Sequence, residues 1–277
     1  MDTAAIEKIT GLKGVYSEAE KVFKISAPRT DVKVTVDHWP MPPFMGLTSW
    51  AAFAPARKQD SMVMGDLVLF QDEVNPVMSV AFANGLDVTA LHNHFFYDEP
   101  KVYFMHIAGE GRAEKLAEAV RRVLDRVHDI RAAQPDPATG FGTGPMPATN
   151  SISAAVIEQI LRAKSQTNNG MVKVTIGRTT RMPCGCEAGK DSGVNTWAAF
   201  AGTDDNAVVD GDFAVQEDEL QMVLRALRHG DINIVAIHHH MSGEKPKILF
   251  FHFWARGKSP TLARAIRTGL DALKASR

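Results

Sequence analysis

The sequence predicts an α+β protein built by tandem duplication, each copy a mainly antiparallel sheet with covering helices. Three observations lead there. "SWAAFAP" (Ser49–Pro55) returns as "TWAAFAG" (Thr196–Gly202). "GDLVLFQDEV" from Gly65 returns as "GDFAVQEDEL" from Gly211, after which the copies run without a gap, so that His92 answers to His238 and His106 to His252. Each copy alternates segments of period-two apolar patterning with segments of helical spacing, the mark of a repeated supersecondary unit.

The elements follow in the same order in both copies. An N-terminal helix near Ile6, and again near Ile157, leads into "DVKVTVD" or "MVKVTIG", an alternating strand. Val32 is aligned with Val172 here, which gives the second copy extra residues around Cys184–Gly193. The Trp-Ala-Ala-Phe segment is the next strand and "SMVMGDLVLF" the one after. Asp72 and Glu73, or Asp218 and Glu219, open a helix, since acids suit a helix N-terminus and Pro76 fits a first turn. That helix ends near Asn84-Gly85 and near Gly230. "LDVTALHNHFF" and "KVYFMHIAG" read as a hairpin turning through "YDEPK". A last amphipathic helix carries Leu116, Val120, Val123, Leu124 and Val127, matched by Leu262, Ile266, Leu270 and Leu273. The Pro/Gly-rich stretch 136–150 is the linker between a first repeat, 1–135, and a second, 151–277.

Bulk properties exclude several classes. Of 277 residues, 45% are hydrophobic and 23% charged, with a formal net charge of −1. Nothing there points to nucleic acid, and no apolar run is long enough to span a bilayer. The start "MDTAAIEKIT" carries no secretory signal. The expected partner is a small molecule, with a homodimer left open. The two cysteines, Cys184 and Cys186, read as loop thiols without a role; a soft-metal half-site and a reactive dithiol are the alternatives, and a bridge so short is disfavoured by its geometry.

The histidines carry the chemistry. Residues two apart on a strand share a face, so His92 and His94 point together, as do His238 and His240. A turn centred near Glu99 sets His106 opposite His92, and His252 opposite His238. Between Leu91–His106 and Ile237–His252 the identical positions are those of His92, His94, Pro100, Lys101, Phe104 and His106. Asp98 or Glu99, and Glu244, add a carboxylate from the turn. Three imidazoles and a carboxylate suit a divalent transition metal, zinc first, with Fe, Mn, Ni or Cu as alternatives. Glu99, Glu244 and Glu73 are the candidate general bases. Asp66 and Asp212 read as turn or helix-start acids, and Lys101 and Lys247 as solvated strand residues.

Two resemblances bear on this. The spacings His92-x-His94-x₄-Glu99 and His238-x-His240-x₃-Glu244 resemble the first metal motif of cupins, as ligand chemistry on a different fold. "WAAFAGTDDNAVVDGDFAVQEDEL" and "INIVAIHHHMSGEKPKILFFHFWARG", with their first-copy equivalents, resemble the LppY/LpqO family of bacterial proteins, many of them exported or lipid-anchored. That resemblance implies a periplasmic or exported protein, with the cytoplasm as the alternative, and implies no activity. Three functions stay open: a metal-dependent hydrolase, favoured here; a bicupin-like metal-dependent oxygenase; and a non-catalytic exported metal- or ligand-binding protein.

Overall fold

A computed structural model describes residues 1–275 of the chain. It divides into two units, Met1–Gly142 and Thr143–Arg277. The boundary falls inside the Pro/Gly-rich stretch.

The first unit runs α1 (Thr3–Thr10), β1 (Gly14–Ser17), β2 (Val22–Pro28), β3 (Thr35–Val36), β4 (Trp39–Pro40), β5 (Thr48–Pro55), β6 (Ser61–Phe70), α2 (Gln71–Ala83), β7 (Asp87–His92), β8 (Asp98–Glu99), β9 (Val102–Gly111) and α3 (Ala113–Ala133). Its main sheet has the order β1-β2-β5-β6-β9-β7, antiparallel throughout. The short strands β4, β3 and β8 form a separate small sheet. Helix α1 is bounded by caps: Asp2 Oδ1 accepts from Ala5 N at 3.0 Å, and Gly11 takes the left-handed turn that ends it.

The second unit runs α4 (Ala154–Leu161), β10 (Ser165–Asn168), β11 (Met171–Gly177), β12 (Thr180–Arg181), β13 (Glu187–Ala188), β14 (Asn195–Gly202), β15 (Ala207–Gln216), α5 (Leu220–His229), β16 (Asn233–His238), β17 (Ile248–Gly257) and α6 (Ser259–Ala275). Its sheet order is β16-β17-β15-β14-β11-β10, again antiparallel. Helix α5 buries Leu220, Val223, Leu224 and Leu227, one stripe at helical spacing. The expected fold class, a duplicated, mainly antiparallel α+β unit, is what the structure has.

In each unit the helices cover one sheet face. Position Gly109 of β9 faces Leu116 of α3, and Phe213 of β15 faces α6 near Gly269. Neighbouring residues in the strands therefore point to the other face, which carries Asp66 and His106, or Asp212 and His252. Part of that face is covered by loops over a small apolar cluster. In the first unit it comprises Val34, Leu47, Val68, Phe70, Val102 and Phe104, with Val32 and Phe95 against it. In the second it comprises Val194, Ala214, Ile248 and Phe250, with Met241 against it.

Four local expectations are corrected. "DVKVTVD" is not the partner of "MVKVTIG": only Thr35–Val36 is strand, and from the covering loop Val34 is buried in the apolar cluster with Val32 partly buried against it. The true counterpart of β11 is β2, because Phe23–Pro28 pairs with β5 as Val172–Gly177 pairs with β14. Arg29 then answers to Arg178, and the longer connection to the Trp-Ala-Ala-Phe strand belongs to the first copy, not the second. Helix α2 starts at Gln71, so Pro76 lies past the first turn. Cys184 and Cys186 are joined in a disulfide at the tip of the β12–β13 hairpin, not left as thiols.

Glu73 shows what the repeated helix-start acid does. It is fully buried and accepts from Arg29 Nη1 at 2.8 Å, Arg29 Nη2 at 3.0 Å and Phe70 N at 2.9 Å, with Arg131 Nε at 2.9 Å. In the second unit Glu219 binds Arg178 Nη1 at 2.5 Å and Gln216 N at 2.8 Å. Arg29 and Arg178 each also donate to a carbonyl of the strand that leads into the helix, Val68 O of β6 or Ala214 O of β15. The pair is a clamp joining helix start, strand and loop.

Candidate metal centre

A single row across the open face positions the site. In the second unit it reads Thr175, Trp197, Asp212, His252, Ala236, one residue from each of five paired strands. In the first unit the same row is Ser26, Trp50, Asp66, His106, Ala90. One row on, His238 pairs with Phe250, and His92 with Phe104.

That register corrects the expected one. A bulge between Val88 and Ala90, and another between Ile234 and Ala236, leave His92 opposite Phe104 and His238 opposite Phe250. A slip of two residues keeps every side chain on its face. His92 and His106 therefore still meet, diagonally, with Nε2 to Nε2 at 3.1 Å. The strands also end earlier than expected, at His92 and His238. His94 and His240 lie just beyond, where a ring stack fixes each: His94 on Phe104 and His240 on Phe250, both 3.5 Å between centroids.

In the second unit four side chains converge. His238 Nε2 is 3.1 Å from His240 Nε2, and His240 Nε2 is 3.2 Å from Asp212 Oδ2. His252 Nδ1 is 3.9 Å from Asp212 Oδ1, and the His238 and His252 rings stack at 4.5 Å. The ligand atoms of Asp212, His238 and His240 lie within 4.8 Å of one another, the one such grouping among the described residues. Asp212 Oδ1 and His238 Nδ1 are buried without a hydrogen-bond partner. A buried anionic oxygen left unpaired is costly, and a cation is one group that satisfies it. The residues thus fit a divalent ion bound by nitrogen and oxygen donors.

The first unit repeats the set more loosely. His106 Nε2 stands 3.9 Å from Asp66 Oδ1, and the His92 and His106 rings are 5.2 Å apart against 4.5 Å for His238 and His252. Asp66 Oδ1 is likewise buried and unpartnered.

Burial disfavours the charged form of three of these groups, Asp212, His94 and His238. Burial pushes the Asp212 carboxyl above its usual range, against the pull of His252 and His240. Burial lowers His94, and His92 and His106 lower it further, with Asp66 opposing. The His238 imidazole is pushed down to about 4, first by burial and then by repulsion from His252, His240 and His239. A histidine in an unfolded chain titrates near 6.5. Between those two values the unfolded chain binds a proton that the folded one refuses. The contribution to stability is therefore complete above about pH 6.5 and is lost as pH falls toward 4. In metal-free protein the urea midpoint is expected to fall between about pH 7 and about pH 5, and to fall less in His238→Gln. Equal drops in the two proteins would refute the linkage.

The turn and helix acids are not brought to the histidines. Asp98 is buried and spends Oδ2 on Val102 N at 2.7 Å and Oδ1 on Lys101 Nζ at 3.3 Å. Glu244, equally buried, accepts from Ile248 N at 3.0 Å. Each closes the loop that enters the returning strand. Glu99 is exposed and pairs with Thr35 through the small sheet. Glu73 belongs to the arginine clamp. The carboxylates that do stand with the histidines are Asp66 and Asp212, which the sequence suggests are turn or helix-start acids. Their signal is an acid kept at the same place in both copies of a mostly apolar strand. Phe96 and Tyr97, in the loop between the histidine strands, are exposed and line a surface cleft with His38 and Asp37.

Fold and site together define a duplicated α+β protein with a histidine–aspartate cluster on the open sheet face of each unit. The chain belongs to the family described as Domain of Unknown Function (DUF1259), whose model matches it twice, over residues 4–126 and 155–272. No curated protein matches it. Among solved structures it is similar to the trimeric bacterial microcompartment shell protein PduB, at 11% identity over 94% of this chain and 89% of that one, with a TM-score of 0.24. It is similar also to EtuB from Clostridium kluyveri, at 9% identity over 95% and 92%, with a TM-score of 0.23.

Proposed function

We propose that the protein is a metal-dependent hydrolase whose working ion sits in the second unit, held by Asp212, His238, His240 and His252. The observation that carries this reading is the convergence of Asp212, His238 and His240, with a buried carboxylate oxygen left unpartnered between strands. Zinc is the expected metal, because borderline nitrogen donors with one carboxylate suit it. An ion held by these residues would supply Lewis acidity, lowering the pKa of a bound water toward about 7. The chain's own part is to fix the donors: strand pairing places Asp212 and His252, and the Phe250 stack places His240.

Elemental analysis tests the reading. Purified protein should carry stoichiometric zinc, and His240→Ala should lose more of it than His94→Ala, since the second set is the tighter one. Fe, Mn or Cu in place of zinc would move the chemistry to oxygen activation. Absence of any transition metal after reconstitution would end the metal reading. Export, which the LppY/LpqO resemblance suggests, is supported by the Cys184–Cys186 disulfide, a bond that persists in oxidising compartments.

A further inference from the structure

Beside the second cluster lies a cleft of about 370 Å³ whose one wall is Asp212 and His240. That is within the range of small-ligand sites. The remaining wall is basic. Lys173 of β11 stands on the open face with its Nζ 4.1 Å from the centre of the Trp197 ring. Lys190 comes from the loop before β14, which Asn195 ties down by donating Nδ2 to Lys190 O at 2.7 Å. Thr175 and Gln166 add neutral polar groups. Asp191 is the one carboxylate on this wall, and it lies 3.6 Å from Lys190. No carboxylate pairs with Lys173 among the described residues, so its charge is uncompensated.

The arrangement recurs. In the first unit Lys24 stands 4.4 Å over Trp50, in the strand and row that answer to Lys173 and Trp197. The strands around it have drifted, yet lysine, indole and adjacent aspartate are all kept. A cation over an indole is only weakly held at an exposed site. The stack explains where the ammonium is held, and the neighbouring donors explain what it is held toward.

We propose that this cleft binds a small organic oxyanion, its carboxylate or phosphate on Lys173 and Lys190 and its other end at the Asp212–His240 wall. The inference rests on the metal reading for that second anchor, and on the two lysines alone for the first. It deepens the proposed activity by naming an anionic substrate class.

Calorimetric titration of the zinc-loaded full chain with inorganic phosphate, and separately with acetate, tests it. The comparison set is wild type, Lys173→Met, Lys190→Met and, as a remote control, Lys115→Met. Methionine keeps an unbranched stem over the indole, so the fold is preserved. A charge-assisted contact is worth about 1.5–3 kcal/mol, so Lys173→Met should weaken binding roughly tenfold or more, while Lys115→Met changes nothing. Phosphate binding without acetate binding would name a phosphate-bearing ligand, and the reverse a carboxylate. Equal affinity in wild type and Lys173→Met, or no binding of either probe to wild type, would overturn the proposal. Metal content measured on the same samples separates the two readings. Anion binding lost in Lys173→Met while no metal is present supports the subsite and removes only the metal centre.

Discussion

Asp212→Asn is expected to abolish stable metal binding while leaving the metal-free protein more stable than wild type. The two effects have one cause. Asp212 is 2% exposed, its Oδ1 has no hydrogen-bond partner, and burial holds its carboxyl above the usual range. A carboxyl whose pKa is raised on folding takes up protons that the unfolded chain has released. Without an ion it therefore costs stability once the pH exceeds the ordinary carboxylate range. Asparagine is nearly isosteric and carries no charge, so it removes that cost. It also removes the charge that a bound cation pairs with, and a loss of at least about 100-fold in zinc affinity is expected, beyond what outer-shell changes produce. The check is a competition titration for zinc beside urea melts in chelator. Asp98→Asn and Glu244→Gln should show the opposite pattern. Each weakens the loop that enters the returning strand, through Val102 N or Ile248 N, and leaves zinc affinity within a few-fold. An Asp212→Asn protein that keeps its metal would place the ion elsewhere. So would a Glu244→Gln protein that loses it.

That contrast also marks what the residue order alone can and cannot resolve. The duplication, the helices and the shared face of His92, His94 and His106 were legible, because periodicity and repetition are local signals. The histidines survived a wrong register because the slip was by two residues. The carboxylate did not, because nearness along the chain favoured Asp98 and Glu244, whereas the sheet brings Asp66 and Asp212 from a different strand. "DVKVTVD" misled for a related reason. Alternation shows that one side of a segment is buried; it does not show what buries it. Val32 and Val34 pack down from a loop onto Val68 and Phe104, and the strand they mimic is "VFKISAP". The role of Glu73 was hidden for lack of a partner, since Arg29 answers to Arg178 only once β2 is matched to β11.

Glu73→Ala is expected to be strongly destabilising to the first unit. Glu73 is 0% exposed and is flanked by Arg29 at 7% and Arg131 at 6%. Removing it strands two guanidinium groups away from water and frees the Phe70 amide that begins the helix. Breaking a buried ion pair from one side costs about 3–5 kcal/mol, because the remaining charge loses its compensation. The arginines keep part of theirs: Arg29 still meets Asp31, and Arg131 still meets Asp72. Those acids are less deeply buried, with Asp31 at 38% side-chain exposure. Asp31→Ala should accordingly cost no more than about 1 kcal/mol. A fall in the first unit's urea midpoint several times larger for Glu73→Ala than for Asp31→Ala is the predicted result. Zinc bound per folded molecule should stay unchanged in Glu73→Gln. Stability and turnover separate the two readings of this residue. A general base at the metal would leave stability near wild type and alter turnover, whereas a clamp does the reverse. Similar midpoints for Glu73→Ala and wild type would sink the clamp and return Glu73 to the list of candidate bases.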